Sequence, residues 1–155
     1  GRRRKDWLTE FNELDEKIHG LARRCDARTV GVVESALDRT RLGGGLVAQL
    51  DGRDRSLVQD PDHEGGAARL IGNRDQEVVI DYLSARVPRA GKREEALVLQ
   101  ELLTLFGRRR SVLRRLRQDI RLQGWMRIWL YLHVPLTVAM LAALVVHVLA
   151  VFLYW

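Results

Sequence analysis

Residues 128–155 carry no charged side chain over 28 consecutive positions. At a rise of 1.5 Å per residue an α-helix of that length spans roughly 42 Å, enough for a hydrocarbon core and both interfaces. Lipid offers the backbone no water, so one isolated segment satisfies its own N–H and C=O groups only as a helix. The run therefore predicts a transmembrane helix. Trp125, Trp129 and Tyr131 stand at one end and Phe152, Tyr154 and Trp155 at the other, the two aromatic belts expected of a span. Its position, far from the first residues, does not suit a cleaved signal peptide.

Every charge lies in the other part of the chain, and its distribution is uneven. Residues 108–121 hold seven Arg and one Asp, which accounts for the whole net charge of +6. Basic residues just before a span mark the cytoplasmic side. The expected placement is the cell (inner) membrane, with the soluble region cytoplasmic and the C-terminal end at the opposite face. Val112, Leu113, Leu116, Ile120 and Leu122 recur at near-helical spacing among these arginines. Residues 108–127 thus read as a basic amphipathic segment lying on the leaflet, its Arg heads among anionic lipid phosphates. A nucleic-acid surface is the other use of such a stripe, but its junction with a span favours lipid, and no nucleic-acid partner is expected. The chain opens GRRRKDW without an initiator Met; an exposed basic terminus and an upstream span preceding Arg2, Arg3, Arg4 and Lys5 both fit that opening.

Residues 1–107 read as a mostly helical soluble region. Trp7, Leu8, Phe11, Leu14, Ile18 and Leu21 recur at three- and four-residue steps over 6–24. Asp26 suits the N-cap of a second helix carrying Val30, Val33, Ala36 and Leu37, which Gly43, Gly44 and Gly45 end. Residues 46–50 suit a strand or a helical turn, and 51–66 read as loop. Asn73 or Asp75 suits the cap of a helix that Pro88 stops. A long helix then starts near Arg93, with a bend or break expected at Gly107 and Gly124 on its way to the span. The apolar inventory is modest, so part of it is expected to pack on other subunits or on the membrane.

Little in this region points to chemistry. Gly43 to Gly45 fit no phosphate-binding glycine pattern, and Asp60, Asp62, His63 and Glu64 read as a solvated turn without a second cluster to complete a metal site. His19 sits in a polar helix. Cys25, the single cysteine, excludes an internal disulfide, a cluster held by this chain alone and covalent c-type haem, and nothing near it in sequence activates a nucleophile.

The span carries the one pattern that asks for a ligand. His133 and His147 stand fourteen residues apart, which at 100° per residue is about 40° short of four full turns. Both imidazoles then project from one face, roughly 21 Å apart along the axis. Thr137, Met140, Ala143 and Leu144 lie between them on that face, with Ala139 and Ala142 nearby. Intramembrane ionisable residues are rare and mark function, and neutral imidazole is a good axial ligand for haem iron. Another metal fits less well, since two sites that far apart cannot share an ion.

The segment YLHVPLTVAMLAALVVHVLAVFLYW resembles the spanning helices of the dihaem b-type cytochromes, in which His-x13-His on one helix supplies one ligand to each of two haems. The resemblance covers about 25 residues and differs in having alanines where that family has glycines. It implies a mainly α membrane subunit binding two haems b through His133 and His147. The facing ligands would come from a second copy of the chain or from another His-bearing subunit. It further implies electron transfer across the bilayer from a quinone or periplasmic donor, within an oxidoreductase complex of respiratory or photosynthetic type rather than in a self-contained enzyme. Arg121 and Arg127 would pair with haem propionates or lipid phosphates. Two other classes compete: a cofactor-free single-pass structural or assembly subunit of a larger membrane complex, and a lipid-binding scaffold.

Overall fold

The computed structural model describes residues 2–42, 54–63 and 69–154. It is mainly helical, and its soluble part is a bundle packed against the first half of one very long helix. Helix α1 (Arg2–Ala22) and α2 (Ala27–Asp38) are joined by a tight turn. Asp26 caps α2 as expected, accepting hydrogen bonds from the Thr29 N–H at 3.4 Å and the Thr29 hydroxyl at 2.6 Å. Helix α3 (Glu77–Arg86) ends in a 3-10 turn containing Pro88, and α4 runs from Arg93 to Tyr154.

A two-stranded antiparallel hairpin occupies part of the region expected to be loop. Strand β1 (Leu57–Gln59) pairs with β2 (Leu70–Gly72), with Val58 opposite Ile71. Its alternation was too short to read, and it owes its place to α2: the Leu57 N–H bonds Arg39 O at 3.2 Å and the Gln59 N–H bonds Ser35 Oγ at 2.8 Å. Val58 is fully buried in the main core. The segment 46–50, the three glycines 43–45 and Glu64 lie outside the described residues.

Two apolar clusters hold the bundle together. Ile18 and Ala22 from α1 meet Val32, Val33 and Ala36 from α2, Val79 and Leu83 from α3, and Val98, Leu99, Leu102 and Phe106 from α4. Phe11 and Leu14 of α1 meet Val112, Leu113 and Leu116 of α4. The early part of α1 thus packs on the later part of α4, so the two run antiparallel. The soluble region encloses a core of its own, and the apolar residues Val112, Leu113 and Leu116 are buried against α1, which corrects their expected place in the leaflet. Phe11 and Leu14 repeat at helical spacing opposite it, and burying both faces together removes them from water more completely than a headgroup layer does.

Helix α4 is continuous over 62 residues, roughly 93 Å long. Neither Gly107 nor Gly124 breaks it. A mid-helix glycine costs only about 1 kcal/mol relative to Ala, which packing by Leu102, Phe106, Leu113 and Leu116 on either side of Gly107 exceeds. Pro135 also lies inside the helix. It removes the N–H that the Tyr131 carbonyl would accept, close to the aromatic belt where water can take that role. The last third of α4 is long and apolar enough to cross a membrane, and none of its most apolar stretch is buried by the protein.

One charged residue is sealed into the bundle. Arg109 is 0% exposed; its Nε and Nη2 donate to the Asp15 carboxylate at 2.5 and 3.0 Å, and its Nη1 donates to Thr40 Oγ1 and Gln76 Oε1, each at 2.9 Å. The Phe11 ring lies under the guanidinium at 4.6 Å. Removing one partner from such a pair strands a buried charge, which costs about 3–5 kcal/mol, whereas removing both with apolar residues is often neutral. Urea unfolding of the detergent-solubilised protein should therefore show Asp15→Leu destabilised by about that amount and the Asp15→Leu/Arg109→Met double variant recovering most of it.

Candidate functional site

The arginines before the span divide into two sets. Arg108 donates to Glu10 at 2.7 and 2.9 Å, Arg109 closes the network above, Arg114 meets Asp75 at 2.9 Å, and Arg117 grips both oxygens of Asp54 at 2.6 and 2.7 Å. Arg117 also donates to Ser56 Oγ and to the Arg41 carbonyl. Four of the seven arginines in 108–121 thus face carboxylates of the bundle, not lipid phosphates. Among the described residues Arg110, Arg115 and Arg121 close no ion pair, nor does Arg127 nearer the span.

One of these carboxylates, Asp75, lies in a strained turn. Asp75 and Gln76 have φ of 51° and 61°, a left-handed conformation that non-glycine residues rarely hold. The Asp75 N–H donates to Asp54 Oδ2 at 2.6 Å, and Gln76, fully buried, is held by Arg109 and by the Asn73 amide at 3.4 Å. Asn73 and Asp75 therefore cap no helix with their side chains; Asp75 serves α4 instead. Nothing local in the sequence signals these pairings, which join residues 39 to 98 positions apart.

Burial pushes the Asp54 carboxyl up, but hydrogen bonds from Ser56 and Asp75 and the Arg117 charge outweigh it and hold the group below its usual range. A depressed carboxyl contributes stability that is present above its unfolded value, about 3.9, and is lost as pH falls through the folded value. The stability gap between the wild type and Asp54→Asn should therefore be full above about pH 4 and close on further acidification, as read from urea midpoints across pH.

On the span, the Trp129 ring stacks on the His133 imidazole, with centroids 4.3 Å apart and planes 12° from parallel. Stacking uses the ring face and leaves both nitrogen edges free. Thr137 Oγ1 donates to the His133 carbonyl at 2.8 Å. Among the described residues His147 makes no hydrogen bond, and Met140, Leu144 and Val151 on the same side are exposed.

Because α4 is unbroken, one angular frame relates span and bundle. At 100° per residue, the buried side chains of Leu102, Phe106, Arg109, Val112, Leu113 and Leu116 centre about 150° around the axis from the two histidines. The histidine side continues instead into Ser111, Arg115, Gln118, Leu122 and Met126, all exposed. The bundle thus sits on the far side of the helix. Arg127 and Arg121 stand about 120° to either side of His133, so the helix directs neither along the histidine face, and a propionate contact gains no support from their placement.

The remaining sequence candidates are structural. His19 pairs with Glu34 at 3.3 Å and Arg23 at 2.9 Å. Burial, with the charges of Asp26 and Glu95, pushes the Cys25 thiol up, which keeps it protonated and poorly nucleophilic. Asp60 organises its own turn, accepting from the Asp62 N–H at 3.0 Å, and no group of three metal-ligating residues occurs among the described residues.

The geometry defines a class, a helical bundle locked to a long helix that is apolar enough to cross a membrane. Comparison with known proteins adds no relative, since no family model, curated protein or solved structure matches the chain.

Proposed function

We propose that the chain is a membrane-anchored b-type cytochrome subunit in which His133 and His147 would each hold a haem b through an imidazole nitrogen. The observation that carries this reading is the placement of the histidine face. One continuous helix presents both imidazoles on a common side, about 150° from the bundle, where a facing helix can approach along its whole length. The residues present suit such a group: among the described residues neither imidazole has a hydrogen-bond partner for its nitrogens, and Ala143 and Thr137 beside them leave room for close approach. A bound haem b supplies one-electron transfer at its iron. The chain's part is to orient and to exclude water. Trp129 fixes the His133 ring plane, the apolar side chains around His147 keep the site dry, and the aromatic belts set the depth of the helix.

The facing ligands belong to a partner, either a second copy of the chain or another His-bearing membrane subunit. A quinone is the fitting donor within an oxidoreductase complex. The arginine excess before the span orients the bundle to the cytoplasm of a cell membrane. The ion pairs that lock α4 to the bundle also suit a cofactor-free assembly subunit, which transmits position rather than electrons. Spectra separate the two. Membranes or the native complex should show reduced-minus-oxidised bands of non-covalent haem b, His133→Ala and His147→Ala should each remove one centre, and the double variant both. Unchanged haem in both single variants, with assembly lost on disrupting the bundle, would establish the structural role instead.

A further inference from the structure

Beside the Arg74–Gln76 turn, Arg114, Arg117, Gln118 and Arg121 line a groove of about 410 Å³ together with Asp75 and Leu122. Three guanidiniums face one carboxylate, and Asp54 behind Arg117 supplies a second, so one positive charge remains uncompensated. That charge is Arg121. It is exposed and, among the described residues, makes no hydrogen bond or ion pair, while its neighbours are fixed in position by theirs.

The groove's lining runs along α4 as far as Arg121 and Leu122, its residues nearest the uncharged run. Arg121 lies about 10 Å along the helix axis from Ile128, where the uncharged run begins. An arginine side chain reaches the headgroup layer from there. At 100° per residue Trp125, Ile128 and Leu132 fall within about 40° of Arg121, and all three are exposed. One side of α4 thus runs from guanidiniums through an indole to bare aliphatic surface, the same sequence of chemistries as a phospholipid from phosphate to acyl chain.

We infer that this groove binds the headgroup of an anionic phospholipid, with Arg121 donating to the phosphate, Gln118 beside it, and the acyl chains lying along Trp125, Ile128 and Leu132. Arg114 and Arg117 hold the groove open from the bundle side, because Asp75 and Asp54 prevent them from folding into it. The inference rests on the span and is independent of the histidines. Arg121 stands about 100° around the axis from the mid-line of the two histidines, and Gln118 and Leu122 border both the groove and the histidine side.

The test compares wild type, Arg121→Gln and Arg115→Gln. Arg115 is a second exposed arginine that closes no ion pair among the described residues, on the histidine side of the helix, so its variant makes the same charge change outside the groove. Each detergent-solubilised protein is titrated with phosphatidylglycerol or phosphatidylcholine and the bound lipid counted by native mass spectrometry. The expected result is preference for phosphatidylglycerol in the wild type, weakened about fivefold by Arg121→Gln, with Arg115→Gln unchanged. Equal weakening in the two variants would reduce the groove to a diffuse positive collar and overturn the inference. Displacement of phosphatidylglycerol by inorganic phosphate alone, without any contribution from the acyl chains, would assign the groove to a free anion and overturn it as well. Haem content plays no part in either readout.

Discussion

The bundle depends on burying Arg109. A guanidinium taken out of water is tolerated only when nearly all its donors are met, and here α1 supplies Asp15, the end of α2 supplies Thr40 and the turn before α3 supplies Gln76. One side chain of α4 therefore requires three other elements to be in register at once. The left-handed backbone at Asp75 and Gln76 follows from that demand: the turn bends so that Gln76 faces Arg109 while Asp75 faces Arg114 and the Asp54–Arg117 pair. Strain in the turn is offset by charge satisfied in the core.

The consequence reaches the apolar end of α4, long and apolar enough to cross a membrane, because the helix does not break. A continuous helix carries angular position along its length, so whatever fixes the bundle on one side of α4 also fixes which way the span faces. Arg109, Leu113 and Leu116 bind the bundle on one side, and His133 and His147 emerge on nearly the opposite one. Had Gly107, Gly124 or Pro135 introduced a break, the two halves would have no set relation. Packing on both sides of Gly107, and the position of Pro135 near the aromatic belt, keep the helix whole.

The arginine-rich stretch divides in the fold. Arg108, Arg109, Arg114 and Arg117 bind carboxylates of the bundle, while Arg121 and Arg127, nearer the uncharged run, close no ion pair among the described residues. Sequence alone treats the seven from 108 to 121 as one basic stripe. The difference is long-range: Glu10, Asp15, Asp54 and Asp75 are scattered through the chain, and only folding sets them opposite their partners. The same holds for the apolar stripe Val112, Leu113 and Leu116. Its helical period was legible, but the surface that covers it was not, because α1 and a leaflet present equally apolar faces to a pattern of spacing.

What sequence determined by itself was local. The 28-residue uncharged run, the Asp26 cap, the amphipathic period of α1 and the fourteen-residue separation of the histidines all follow from neighbours within a few turns. Residue spacing and backbone hydrogen bonding are enough to express them. Tertiary structure alone decided that the bundle has its own core, that a hairpin forms at Val58 and Ile71, and that four arginines meet carboxylates of the bundle. It also set the histidines on the side of α4 away from the bundle. Those outcomes depend on which distant carboxylates and apolar faces meet. Spacing along the chain does not contain that, since each pairing is stable only when the others have formed.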